Sequence, residues 1–268
     1  MWIKIKTKYI IIISSLIITV LSIKVVLAEN QKNKKESIKI PILLYHDFVT
    51  TVPETDSDNF NYINTPQSFE ENIKVLLDNG YTFISTQELN DSTNGKIELP
   101  DKPILIHLDD GYSSNYDYIY PILKKYNIKA SIFIVTDKIG KEINGTKYLN
   151  WEQCIEIQNS GLVEIFSHGK RHIFYDKVPA RVIHDDVKES YKIIEQKLGN
   201  KNLKVFAYPY GAYTKETVWV LKISGIDMQV YDIGMNYFNN FNTDYIKRIN
   251  IPCEMTGKEI INEINNTN

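Results

Sequence analysis

The chain is poor in cysteine, in excess charge and in long apolar stretches, and each shortage narrows its class. Two cysteines, Cys154 and Cys253, stand in 268 residues. An exported fold stapled by disulfides would carry more. At most one bridge can form, and the helical pattern around Cys154, with Trp151 and Ile155, favours a buried free thiol. Lys and Arg number 31 against 33 Asp and Glu, a net charge of −2. No nucleic-acid surface is expected from that balance. Histidine is scarce as well, with five in all. No internal repeat and no low-complexity domain is present.

The one long apolar run lies at the start. Lys4, Lys6 and Lys8 precede the uncharged segment Tyr9–Ile23, which Lys24 ends, and Val26-Leu27-Ala28 offers small residues for cleavage. A bilayer span wants roughly 20 apolar residues. Residues 1–28 therefore read as a signal peptide, with membrane attachment through residues 9–28 as the alternative. Residues 29–39 are polar and lysine-rich and read as a linker, most simply a solvated tail. Residues 40–268 remain as one exported domain, secreted or at the cell surface, expected to act as a monomer.

Short apolar runs alternate with helical patterns across that domain. Strands are expected at Pro41–Tyr45, Tyr81–Ser85, Pro103–Leu108, Ala130–Val135, Leu162–Phe166, Lys204–Ala207, Ile226–Val230 and Tyr245–Ile251. Most are continuous Ile, Leu, Val and Phe, as in strands covered on both faces. Thr65-Pro66 opens a helix carrying Phe69, Ile73, Leu76 and Leu77 on one face, stopped by Gly80. Pro179 opens the longest, striped by Ile183, Val187, Tyr191, Ile194 and Leu198. Pro121 predicts a kink or a late start in the helix after residue 112. The alternation predicts an α/β fold, an irregular (β/α) barrel of seven or so strands.

Chemistry concentrates at strand ends. Ile104–Tyr112 reads Ile-Leu-Ile-His-Leu-Asp-Asp-Gly-Tyr, an apolar strand closing in two carboxylates. Successive strand residues face opposite ways, so Asp109 and Asp110 diverge unless Gly111 bends the chain. Alone, Asp-Asp-Gly would be a turn with capping aspartates. The next apolar run but one, Leu162–Phe166, ends in Ser-His-Gly-Lys-Arg-His. His168 and His172 with Asp110 make a three-ligand set that leaves positions open, as a catalytic zinc site requires, and Asp109 is left over as a base.

These residues carry a family likeness. The sequence resembles the polysaccharide deacetylases of carbohydrate esterase family 4, the NodB-homology group, over roughly Ile40 to Pro252. The family's Thr-Phe-Asp-Asp-Gly motif stands here as His107-Leu108-Asp109-Asp110-Gly111, and its His-Ser/Thr-x-x-His motif as His168-Gly169-Lys170-Arg171-His172. Its Arg-Pro-Pro-Tyr-Gly motif stands as Ala207-Tyr208-Pro209-Tyr210-Gly211. The Phe-Ala-Tyr-Pro-Tyr-Gly variant and Leu44-Tyr45-His46 look most like the branch that deacetylates poly-N-acetylglucosamine. The resemblance implies a NodB-type barrel, a divalent metal on Asp110, His168 and His172 (zinc before cobalt, nickel or iron), Asp109 as base and a polysaccharide substrate. It also implies an oxyanion donor in the Tyr210 N–H.

Three departures stand out. Gly169 replaces a family Ser/Thr. Ala207 replaces the arginine that orients the base, a contact Arg248 could take over, unless Arg248 forms an ordinary rim ion pair. No late Leu-x-His motif supplies the acid, and His46 is the substitute, against the plainer reading of a packed strand-end histidine. His107 is expected to hydrogen-bond structurally and His184 to lie on the surface. Peptidoglycan deacetylation and O-acetyl ester hydrolysis are rival activities of the same machinery. A decayed carbohydrate-binding module and a glycoside hydrolase using Asp109 and Asp110 are rivals of other classes.

Overall fold

The computed structural model describes residues 17–26, 38–52 and 60–267. Eight strands run in parallel and follow the expected apolar segments with end shifts of at most three residues: β1 (Ile42–Tyr45), β2 (Thr82–Phe83), β3 (Pro103–Leu108), β4 (Ala130–Ile134), β5 (Val163–Ser167), β6 (Val205–Ala207), β7 (Met228–Ile233) and β8 (Ile246–Asn250). Seven close a barrel in the order β1-β8-β7-β6-β5-β4-β3, with β3 returning to β1 through Ile42↔Leu105 to Tyr45↔Leu108. The short β2 pairs with the first residues of β3, Thr82 against Pro103, and stays outside the ring. Every residue of β3 and β4 is buried. Side chains of one parity fill the barrel and those of the other meet the helices, so these strands have no polar alternation.

Seven helices are described around the barrel: α1 (Pro66–Asp78), α2 (Thr86–Thr93), α3 (Tyr120–Tyr126), α4 (Trp151–Asn159), α5 (Ala180–Leu198), α6 (Lys215–Ile223) and α7 (Gly257–Asn266). Thr65 caps α1 by accepting the Ser68 N–H at 3.1 Å, and Phe69, Ile73 and Leu76 are buried beneath it. Pro121 produces a late start: a π-helical turn, Asn115–Ile119, precedes α3, where the proline is second and needs no donor. Helix α5 buries Ile183, Val187, Tyr191 and Ile194, and with them two polar residues, Asp186 and Ser190. His184 is half-buried with Nδ1 unpartnered among the described residues, which corrects its expected place on the surface. The packing of α5 against its neighbours covers that face. Cys154 and Cys253 are both buried and free, so the optional bridge does not form.

Most of the expected signal peptide and linker falls outside the described residues. Residues 17–26 form a helix with exposed side chains, and among the described residues no helix is long and apolar enough to cross a membrane. Lys39, the last residue of the expected linker, already belongs to the domain: it pairs with Tyr237, and its Nζ donates to the Ile264 carbonyl at the end of α7 at 2.7 Å. The C-terminal ends of the barrel strands face one way, and His46, Asp109, Asp110, His168, Tyr208 and Arg248 gather around that mouth.

Candidate active site

The two carboxylates diverge because the chain turns sharply between them. Asp109 still belongs to the sheet, its N–H donating to the Tyr45 carbonyl at 3.0 Å. Asp110 and Gly111 then take φ values of 71° and 76°, in the left-handed region. For Asp110 this costs on the order of 1 kcal/mol. Gly111 is required twice, since a Cβ there would also lie 3.0 Å from Ile134 Cγ2. The turn sends Asp109 across the barrel axis and Asp110 towards β5.

Arg248 meets Asp109 as a fork, Nη1 donating to Oδ1 at 2.7 Å and Nη2 to Oδ2 at 2.9 Å, with both side chains 3% exposed. Burial by itself would raise the Asp109 pKa. Arg248, and after it His168, outweigh burial and hold the carboxyl well below the usual range. Of the two contacts left open for Arg248, the structure shows the buried one to Asp109 and not a rim ion pair.

Asp110 receives Tyr112 Oη on Oδ2 at 3.0 Å and Lys138 Nζ on Oδ1 at 3.1 Å. His172 Nε2 lies 3.1 Å from the same Oδ1. His168, 2% exposed, hydrogen-bonds through Nδ1 to the Ala207 carbonyl at 2.8 Å. A carbonyl only accepts, so Nδ1 donates its proton there and Nε2 is the nitrogen left facing the carboxylates, 3.8 Å from Asp109 Oδ2, as in a metal-ligating histidine. Burial, and then the neighbouring His168, push the His172 pKa down to about 4, leaving that imidazole neutral. One ligand atom from each of Asp110, His168 and His172 lies within 4.8 Å of the others. Two imidazoles and one carboxylate facing a cavity of about 570 Å³ fit a tetrahedral ion such as zinc with a coordination position to spare.

The other expected site residues line the same cavity. His46 is half-buried, its ring set edge-on to Tyr62 at 5.0 Å, and Nδ1 is buried without a partner. Burial lowers its pKa, while Asp109 and Asp110 act in the opposite direction. Tyr210 adopts φ 62°, and among the described residues nothing accepts its N–H. Its ring, 58% exposed, stacks on Phe174 at 3.9 Å and touches His172 at 4.5 Å. Tyr208, which could have stacked on a sugar, is a core residue, 1% exposed and bonded to Gln229. His107 is structural as expected, buried against Thr86 Oγ1 at 3.2 Å and absent from the ligand cluster. Sequence reasoning missed Lys138 and Phe174. The signal for Lys138 was its place just beyond β4, at the same end as the other strand-end residues.

The comparisons with known proteins agree with this geometry. The profile of the family described as polysaccharide deacetylase matches residues 96–229, half of the chain. A putative polysaccharide deacetylase of Bacillus subtilis, YxkH, is 31% identical over 193 residues, covering 72% of this chain and 64% of its own length. The chain thus spans just under two thirds of that relative. A poly-beta-1,6-N-acetyl-D-glucosamine N-deacetylase of Staphylococcus epidermidis is 28% identical over 218 residues, 74% of each chain. Among solved structures, the Streptococcus pyogenes deacetylase PplD in complex with acetate superposes with a TM-score of 0.75 at 25% identity, covering 85% of this chain and 99% of that one. A seven-strand parallel barrel, an Asp-His-His cluster at its mouth and a family profile over residues 96–229, which hold all three cluster residues, place this chain in the polysaccharide deacetylase family.

Proposed function

We propose that this protein is a metal-dependent N-deacetylase of an extracellular amino-sugar polymer of the poly-N-acetylglucosamine type. The observation that carries the reading is the pairing of the three-donor cluster Asp110, His168 and His172 with a separate carboxylate, Asp109, that Arg248 keeps ionised. The likeness to the Staphylococcus enzyme supports the choice of polymer.

A divalent ion on Asp110, His168 and His172 supplies Lewis acidity to the acetamide carbonyl and to the water that attacks it. Asp109 takes the proton from that water. It is ionised across the working pH range, and the Arg248 fork fixes its plane. The Tyr210 N–H, which meets no acceptor among the described residues, donates to the oxygen on which negative charge develops. His46, which lines the same cavity as Asp109 and Asp110, gives a proton to the departing amine. Acetate and a free glucosamine result. A polymer substrate puts the domain outside the membrane, released or tethered through residues 1–28.

Acetate release from poly-N-acetylglucosamine, peptidoglycan and acetylated xylan, measured side by side, tests the proposal. Preference for the first, loss of activity with chelator, and loss of 10²–10⁴ in Asp109→Asn are expected. Xylan as the best substrate would make the protein an esterase, and activity untouched by chelator would remove the metal from the mechanism.

A further inference from the structure

The segment between His168 and His172 lacks the hydroxyl of the family motif, because Gly169 stands in its place. A different group grips this segment. Asp186, 1% exposed, projects from α5. Its Oδ2 accepts the Lys170 N–H at 2.7 Å and Tyr175 Oη at 2.6 Å, and its Oδ1 accepts Arg171 Nε at 2.6 Å. One turn further along α5, Ser190 bonds Ser167 through paired hydroxyls, and Ser167 Oγ in turn accepts the Gly169 N–H at 3.0 Å. Two buried polar residues of one helix therefore hold the loop, Ser190 just before His168 and Asp186 just after it.

Gly169 is a condition of this arrangement. Its φ is +80°, and a Cβ would fall 2.8 Å from Tyr175 Oη and 3.0 Å from Asp186 Oδ2. The missing family side chain leaves the space that the Asp186 and Tyr175 contacts occupy. His172 itself sits at φ 56°, a conformation that persists only when its surroundings dictate it. A buried carboxylate with three donors from residues 170–175 does so, since moving the loop would strand its charge.

We propose that Asp186 is a positioning residue for the metal ligands, taking the part that the loop hydroxyl plays in the family motif. The inference rests on the reading of Asp110, His168 and His172 as a metal centre. Asp186→Asn keeps the volume but turns one acceptor into a donor facing donors. The measurements are zinc affinity by competition with a chromophoric chelator, the visible spectrum of the cobalt-substituted protein, and melting of the metal-free protein. Zinc binding roughly 10-fold weaker with an altered cobalt spectrum is expected. Tyr175→Phe, which removes one donor and keeps the ring, decides the matter if Asp186→Asn does not fold, and should weaken zinc binding roughly threefold. Zinc affinity within twofold of wild type in the folded variants, whatever their melting temperature, overturns the inference. Wild-type zinc binding that His172→Ala leaves intact overturns the metal-centre reading, and this one with it.

Discussion

Arg248→Met tests the coupling on which the base depends. The substitution keeps an apolar stem in the barrel and removes both bonds to Asp109, at 2.7 and 2.9 Å. With charge centres roughly 4 Å apart and an effective dielectric of about 20, the lost attraction is about 4 kcal/mol. At 1.36 kcal/mol per unit this raises the Asp109 pKa by about 3 units. A base works only when deprotonated. Wild type should therefore show no acid limb from Asp109 above pH 5, whereas the variant should lose kcat/KM as pH falls through the raised pKa. A rise of about 3 units brings the depressed carboxyl back to the ordinary carboxylate range, so the ratio of variant to wild-type activity should be clearly smaller at pH 4 than at pH 8. Removing one partner of a buried pair also costs about 3–5 kcal/mol of stability, so melting must be followed alongside acetate release. Arg248→Lys keeps the charge without the fork and should fall between. Superimposable pH profiles for wild type and Arg248→Met would refute the reasoning.

Three further outcomes are expected. Asp110→Asn and His168→Ala should abolish tight zinc binding as well as acetate release, and adding zinc to chelated wild type should restore turnover; a zinc-free Asp110→Asn protein with full activity contradicts the ligand assignment. Tyr210→Gly should be more stable and more active than Tyr210→Ala, by about 1 kcal/mol in melting experiments, because φ is 62° there; equal or reversed stabilities would mean the turn is not held. His107, whose pKa burial lowers to about 3 from 6.5, protonates first in the unfolded chain. Its share of stability is thus present above pH 6.5 and drains away as pH falls towards 3. Between pH 6.5 and 4.5 wild type should lose roughly 2–3 kcal/mol more than His107→Thr in urea unfolding, and matching pH slopes would exclude that role.

The barrel was legible because its strands are buried on both faces, so Pro103–Leu108 and Ala130–Ile134 carry no polar residue to blur the pattern except His107 and Ser131. Those two meet through Thr86 Oγ1 inside the fold, a contact no local pattern announces. The Asp-His-His cluster was legible for a topological reason: strand ends converge, and Asp110 and His168 follow closely on β3 and β5, with His172 in the loop after β5. Arg248 could be named only as an alternative, since it and Asp109 are 139 residues apart and a lone arginine in a last strand gives no sign of its partner. Asp186 and Ser190 were hidden more completely. On a long amphipathic helix an aspartate beside the apolar stripe looks solvated, and only the loop packed over α5 reveals it as buried.

The departures from the family motifs at residues 169 and 207 have one physical explanation. Arginine is missing at residue 207, yet the base is held by an arginine from β8, two strands around the ring. The backbone of Ala207 still serves, its carbonyl fixing the tautomer of His168. The hydroxyl is missing at residue 169, yet a carboxylate from α5 enters the space so vacated. In a barrel every strand end is within side-chain reach of the mouth, so a required charge or donor can be supplied from several sequence positions. The chemistry constrains where a guanidinium and a loop anchor must stand, and it leaves open which residue number provides them. Motif loss at residues 169 and 207 is therefore weak evidence against activity here, because the electrostatic work of both side chains is accounted for by Asp186 and Arg248.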